Sequence, residues 1–349
     1  MKTKCIAIHQ NKKIFDHSTS WADPWMLYCQ KEGLQYKIVD CYSSDIISKL
    51  KYFDILLWHF NNYSYVDMLE ARSILYSAKQ MGLSIFPDFN DMWHFDDKIA
   101  ETYLFQSLDV PIPHSYVSYS IEEVEKWLNK HNDFPIVAKL RTGSGSHNVK
   151  LLRSQSQTLK YSKRMLGKGF SPHPSIIGKT KANYNSSKGN WTTMKSRIKR
   201  APEFFRTLKN AKKFPNEKGY VFFQEFIPND GYDLKIVVIG DKLGFIARHV
   251  RKDDFRASGG GDIFFDKVLI TQNIIDSAFS VSDKLGFRCM GYDYVVNSET
   301  GKEVIVEMSY GFSHTALLQS NGYFDRTGNW HDEPLNAPEE ILKNLLTIS

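Results

Sequence analysis

The chain has 349 residues, long enough for two or three subdomains with cores of their own. With 42% apolar and 24% charged residues it reads as a folded globular protein rather than a disordered one, and no apolar run approaches the roughly 20 residues of a membrane span. The net charge of +6 is unevenly spread: residues 160–218 hold sixteen Lys and Arg against Glu203 and Glu217, a local excess of +14 that leaves the remainder at −8. Such a stretch is either a solvated face or a surface for an anionic partner; no nucleic-acid motif accompanies it, so nucleic acid is set aside. The four cysteines (Cys5, Cys29, Cys41 and Cys289) show neither CxxC nor zinc spacing and read as reduced, mostly buried thiols of a cytoplasmic protein. The apolar run from Cys5 to Ile8 is too short for a signal segment.

In chain order, residues 4–9, 36–40, 54–58 and 84–86 read as short buried strands, with helical patterns near 20–32, 43–50 and 64–81 between them. Strands alternating with helices predict a parallel, doubly wound α/β domain to about residue 95. No glycine fingerprint follows the first strand, which argues against a dinucleotide site there. The segment 17–25, HSTSWADPW, falls where the first strand hands over to its helix. His17, Ser18, Thr19 and Trp21 are therefore candidate substrate contacts, with an ordinary Ser- or Thr-capped helix start as the alternative. Helical spacing from Ile99 to Leu108 ends at Pro111 and Pro113. Residues 120–130 predict an amphipathic helix with Ser120 as N-cap and Glu123 completing a capping box.

Residues 134–153, FPIVAKLRTGSGSHNVKLLR, predict strand, flexible turn, strand. The first strand ends in Lys139, the turn is Gly143-Ser144-Gly145-Ser146, and Val149 and Leu151 alternate with Lys150 in the second. Glycines let main-chain N–H groups approach a phosphate, and the lysine adds a movable positive charge. No Gly-Lys-Ser/Thr follows, so this is not a Walker loop. After a helix near 156–166 the chain is turn-rich and then basic and aromatic. Residues 219–227, 232–240 and 242–250 read as three strands of a meander with turns at Asn229-Asp230-Gly231 and Gly240-Asp241. A helix at 271–285 precedes paired strands at 288–297 and 302–310. Asp293 and Glu307 lie on that pair among apolar neighbours, where a buried carboxylate is costly unless something cationic meets it; magnesium on nucleotide phosphates is one such partner.

These residues, in this order, resemble the ATP-grasp superfamily, and specifically its carboxylate–amine ligases such as the ribosomal-protein glutamate ligases, over about residues 85–312. The resemblance implies an ATP-grasp fold, mixed α/β and α+β: an N-terminal α/β domain (1–95), a central subdomain (96–218) with the glycine-rich loop and the basic insertion 160–218, and a C-terminal subdomain (219–349), the last two clasping ATP. It implies ATP contacts from Lys98, Lys139, the loop Gly143, Ser144, Gly145 and Ser146, the hinge Gln224, Glu225, Phe226 and Ile227, and Asp233. Magnesium would sit on Asp293 and Glu307, with Ser309 standing where the family commonly has Asn, which weakens the case for a second metal. Lys235, Arg248 and Arg256 would serve phosphate, substrate carboxylate or acyl phosphate, with Arg251 a further basic neighbour. The implied reaction joins a carboxylate to an amine through an acyl phosphate, with ATP and Mg²⁺ as cofactors. By analogy the acceptor is a uronic-acid sugar of a surface polysaccharide or another anionic glycan. A peptide or protein terminus, phosphoryl transfer to a hydroxyl, and a non-catalytic nucleotide-binding scaffold are the other readings; a homodimer is left open.

Overall fold

A computed structural model describes residues 4–11, 20–143, 145, 148–172, 212–250 and 262–347. Its first layer is a parallel sheet of β1 (Cys5–His9), β2 (Gln35–Val39), β3 (Ile55–Leu57) and β4 (Ser84–Phe86) in the order β2-β1-β3-β4. β3, and β1 up to its last residue His9, are apolar because both faces are covered. The helices α1 (Ala22–Lys31), α2 (Ile46–Leu50) and α3 (Tyr65–Gln80) make the crossovers, as the alternation predicts. Strand order reverses between β1 and β3, so their carboxyl ends open a crevice. A four-residue turn of helix, α4 (Phe89–Met92), follows β4; Asp88 and Asp91 form its capping box.

The second layer is an antiparallel sheet in the order β5-β8-β6-β7: β5 (Ser115–Ser118), β6 (Ile136–Ala138), β7 (Lys150–Leu152) and β8 (Val221–Glu225). Helices α5 (Lys98–Gln106), α6 (Ile121–Leu128) and α7 (Gln155–Leu166) accompany it. Ile99, Val124, Leu128, Tyr161, Met165 and Phe222 fill its own core. The capping box expected at α6 is half formed. Ser120 Oγ accepts from Glu123 N–H at 3.2 Å, but the Glu123 carboxylate pairs with Lys126 at 3.1 Å instead of returning to the cap.

The third layer holds β9 (Tyr232–Ile239), β10 (Lys242–His249), β11 (Ile263–Phe264), β12 (Cys289–Val296), β13 (Glu303–Ser309), β14 (Tyr323–Phe324) and β15 (Trp330–His331), in the order β13-β12-β9-β10-β14-β15 with β11 on β10. Helices α8 (Gln272–Leu285), α9 (His314–Leu318) and α10 (Ala337–Thr347) complete it. The expected three-strand meander is corrected here. β9 and β10 form a hairpin, but β8 pairs with β5 and β6 in the other sheet. The Asn229-Asp230-Gly231 turn therefore carries the chain between sheets rather than back along one. It is an Asx turn, Asn229 Oδ1 accepting from Gly231 N–H at 3.1 Å, and the Pro228 carbonyl accepts from Ser298 N–H at 2.9 Å.

The first and third layers share one continuous core. Trp25 Nε1 donates to the Pro338 carbonyl at 2.9 Å, and Tyr310 Oη donates to the Phe60 carbonyl at 2.9 Å while its ring packs on Phe60 and Phe95. Tyr310→Phe keeps the rings and removes only that bond. The expected cost is about 1 kcal/mol, read as a fall of about 2 °C in thermal unfolding; an unchanged Tm would show that the junction does not depend on the bond.

Candidate active site

Sheet register assembles the site. Arg248 on β10 faces Asp233 on β9; two residues on and on the same face, Lys235 faces Asp293 on β12, which faces Glu307 on β13. Four neighbouring strands thus present five charged side chains in one row. Arg248 grips Asp233 with both arms, Nε to Oδ1 at 2.6 Å and Nη2 to Oδ2 at 2.8 Å, and reaches Asp293 Oδ1 at 3.1 Å. Lys235 Nζ lies 2.5 Å from the same Asp293 oxygen. A register shift between Asp293 and Tyr294 leaves Val306 as an extra residue on β13, so that both Val306 and Glu307 line the cleft.

The facing lobe adds Lys98, first residue of α5 after its N-cap Asp97, which accepts from Ala100 N–H at 3.1 Å. Lys98 Nζ donates to the Gly143 carbonyl at 2.6 Å and lies 3.4 Å from Glu307 Oε1. Gly143 N–H in turn donates to Asp96 Oδ1 at 2.8 Å. Gly143 has φ +104°, and a Cβ there would sit 3.4 Å from the Pro172 carbonyl, so the turn requires glycine. Lys139, one residue beyond β6, points its Nζ at the Val306 carbonyl, 3.4 Å away. Buried Glu101 accepts from Met308 N–H at 3.2 Å and so ties α5 to β13 beside Glu307.

Burial and pairing compete at each charge. For Lys98 burial opposes the charge, but Glu307, Asp96 and Glu101 outweigh it and hold its pKa above the ordinary lysine value. Lys139 has the opposite balance: burial, with Lys98 adding repulsion, outweighs Glu307 and lowers it to about 8. Burial raises Asp96 to about 6 despite Lys98, and raises Glu101 well above the usual range with Glu307 reinforcing it. Burial also works against ionised Asp293, but Lys235 and Arg248 prevail and hold its pKa low.

Beyond the charges, Pro113, Val137, Val149, Val295 and Val306 form an apolar slot bordered by Gln224, Glu225, Phe226 and Ile227. Aliphatic walls with main chain along one edge suit a planar heterocycle. Gln224 is buried and donates to Ser115 Oγ at 3.2 Å. Glu225 is tied to the residue before β5: its N–H donates to the His114 carbonyl at 2.8 Å and its carboxylate accepts from His114 N–H at 3.3 Å.

Of the expected residues, Lys98, Lys139, Gly143, Gln224, Glu225, Phe226, Ile227, Asp233, Asp293 and Glu307 line one cleft, and Lys235 and Arg248 join it through their carboxylates. Ser309 is engaged elsewhere: its hydroxyl donates to the Gly311 carbonyl at 3.2 Å and accepts from Gly311 N–H at 3.0 Å. Trp21 is buried in an aromatic cluster and is the N-cap of α1 without a cap bond from its own side chain, while Ser20 Oγ accepts from Ala22 N–H at 3.2 Å. His17, Ser18, Thr19, Ser144, Ser146, Arg251, Arg256 and residues 173–211 of the basic stretch lie outside the described residues. Sequence reasoning missed Asp96 and Glu101. One signal was present, since Asp96 and Asp97 precede the helix and a cap needs only one of them.

Asp293 and Glu307 fit a hard divalent cation. Asp293 Oδ1 is buried and, although both cations crowd it, accepts no properly angled hydrogen bond. Among the described residues no group of three or more His, Cys, Asp or Glu is gathered for a metal. Two carboxylates, with phosphate and water supplying the remaining oxygens, is the usual arrangement for Mg²⁺ on a nucleotide.

No protein-family model matches the sequence, and no curated protein matches it. Solved structures do match over nearly the whole chain. The ATP-grasp ligase PsnB, complexed with precursor peptide PsnA2 and AMPPNP, has a TM-score of 0.54 at 10% identity and covers 99% of this chain and 98% of its own. The D-cycloserine synthetase DcsG gives 0.56 at 12%, covering 98% and 99%. The macrocyclase MdnC of Microcystis aeruginosa MRC, bound with precursor peptide MdnA, gives 0.55 at 11%, covering 98% and 99%. The chain has the ATP-grasp fold.

An anion entering this cleft meets Lys139. Below about pH 8 the lysine is charged beforehand; above it, binding must bring a proton along. The dissociation constant of AMPPNP is therefore expected to be level below that pH and to rise by up to about tenfold per unit above it. Calorimetry across pH 6.5–9.5 measures this, and Lys139→Met should remove the slope; a slope that persists would assign it to another group.

Proposed function

We propose that this chain is an ATP-dependent carboxylate–amine ligase that activates its substrate as an acyl phosphate, and that a peptide or amino acid presents the carboxylate. The observation that carries the reading is the row Arg248–Asp233, Lys235–Asp293–Glu307 facing Lys98 and Lys139 across an apolar slot. The lysines and the arginine suit the oxygens of a triphosphate, Asp293 and Glu307 suit a divalent cation carried on it, and the slot beside them suits a base.

A carboxylate is a poor acyl donor because its leaving group would be oxide. Attack of a carboxylate oxygen on the γ-phosphorus, with ADP departing, creates a leaving group. The amine nitrogen then bonds to the acyl carbon, phosphate leaves with the electron pair of the C–O bond, and the nitrogen loses a proton. Such chemistry requires in-line placement and neutralised charge rather than a nucleophilic side chain. Lys98 and Lys139 meet phosphate oxygens from the central lobe, and Lys235 and Arg248 lie at the far end of the row. Asp293 and Glu307 would hold Mg²⁺, which neutralises charge on the phosphates. Arg256, outside the described residues, keeps the role the resemblance gives it, steadying the acyl phosphate.

Two of the structural neighbours hold precursor peptides and a third is a D-cycloserine synthetase, which supports the peptide or amino-acid reading over the uronic-acid one. A phosphotransferase remains distinguishable by product, because it leaves phosphate on the acceptor and makes no amide. A scaffold would not need two carboxylates arranged for a metal.

The test incubates the protein with ATP, Mg²⁺ and panels of amino acids, short peptides and uronic acids with amines, and follows ADP and free phosphate. Turnover should need both a carboxylate and an amine, and Glu307→Gln should lower it by at least about a thousandfold. ADP without free phosphate would make the protein a kinase, and turnover confined to uronic acids would restore the glycan reading.

A further inference from the structure

Away from the charged row, two buried polar atoms without a hydrogen-bond partner share one place: Nε2 of His59 and Nε2 of His314. His59 stands just past the carboxyl end of β3, and His314 opens α9 after β13. Trp21 joins them, stacked parallel on His59 (centroids 4.3 Å apart, planes 5° apart) and edge-on to His314 at 5.4 Å. In a parallel stack the ring nitrogens point along the stacking plane, so the indole face cannot serve as a partner for His59. His59 as a residue is half-buried, but its Nε2 has lost contact with solvent.

A main-chain carbonyl faces each ring, that of His59 itself and that of Ser20 for His314, and with Nε2 unpartnered the ring N–H is assigned to Nδ1. A neutral imidazole that donates from one nitrogen carries a lone pair on the other, which assigns Nε2 of both rings as acceptors. Burial lowers both pKa values, His59 to about 3 with His314 adding to the effect, so both rings are uncharged at neutral pH. Two buried acceptors lacking a donor are costly, and none of the described residues supplies one.

The place adjoins the phosphate end of the cleft. Phe312 lies 5.2 Å from Trp21, edge-on. Phe312 Cδ1 and Lys235 Nζ are 3.5 and 3.8 Å from one point, where a Cβ on Gly291 would sit. One aromatic ring therefore separates Trp21 from the Lys235–Asp293 pair. No carboxylate pairs with either imidazole among the described residues, so a cationic ammonium would find no counter-ion there.

We propose that Trp21, His59 and His314 form the subsite for the nucleophilic amine, held uncharged as an N–H donor against the two imidazole acceptors. The assignment rests on the ligase reading. It makes the histidines positioning groups; the proton released on amide formation leaves with phosphate or solvent, since neither ring is basic enough to retain it.

The test varies glycinamide against the carboxylate that gives the highest wild-type turnover. His59→Leu and His314→Leu should each raise KM for glycinamide about tenfold and leave KM for ATP unchanged. His59→Gln, which keeps an acceptor, should recover most of the loss. An unchanged amine KM, or a parallel rise in KM for ATP, would overturn the subsite. If no carboxylate supports turnover by the native protein, the ligase reading falls by itself and the subsite is judged by binding. Glycinamide titrated into the full chain should then shift the imidazole nitrogen resonances of His59 and His314 saturably, and resonances that stay fixed would overturn it.

Discussion

Six ionisable side chains meet at the floor of the cleft, and burying any one of them alone would cost several kcal/mol. Pairing is what makes the arrangement tolerable: Arg248 with Asp233, Lys235 with Asp293, Lys98 with Glu307. Each pair but the last is set by strand register, so a slip of one residue on β9 or β12 would turn its members to opposite faces. Fold and site are thus one constraint. The row is also poised to exchange partners, because Asp293 has an oxygen with no directed hydrogen bond and, among the described residues, Lys98 is the cation that pairs with Glu307. A metal–phosphate group entering the cleft can replace the lysine contacts while preserving the neutrality the interior demands.

The distribution of the cores gives this arrangement its mechanical sense. The first and third layers share a core, so the charged row and the crevice at the ends of β1 and β3 belong to one platform. The central sheet has its own core and brings Lys139, the Gly143 turn and Gln224 from the other side. Among the described residues the polar contacts between them include Lys98 to Glu307, Lys139 to the Val306 carbonyl, Glu101 to Met308, Ile305 N–H to the Pro111 carbonyl, and the Pro228–Ser298 bond. Ligand contacts made from both sides would therefore contribute substantially to how the lobes sit together.

Much of this was legible in the sequence because it depends on local pattern. The alternation of apolar strands and helices gave the first layer, and the carboxylates at 293 and 307 stood out because their neighbours are apolar. β8 was misassigned for a physical reason. Asn229-Asp230-Gly231 has the chemistry of a reversal, but turn chemistry does not say which sheet receives the next strand. Glu101 looks like a solvated helix residue until α5 packs on β13. Glu123 has the right spacing for a capping box, yet nearby Lys126 competes for its carboxylate. The cluster of Trp21, His59 and His314 spans nearly the whole chain, and only tertiary packing brings it together; Trp21 alone was visible, as part of the first crossover.

The account stands on the claim that the paired carboxylates await a metal–nucleotide. Its most direct test is calorimetric titration of AMPPNP into the full chain, with Mg²⁺ and then with EDTA. The account predicts saturable binding that weakens at least about tenfold when the metal is removed. Equal affinity in both conditions, or no binding in either, would contradict it.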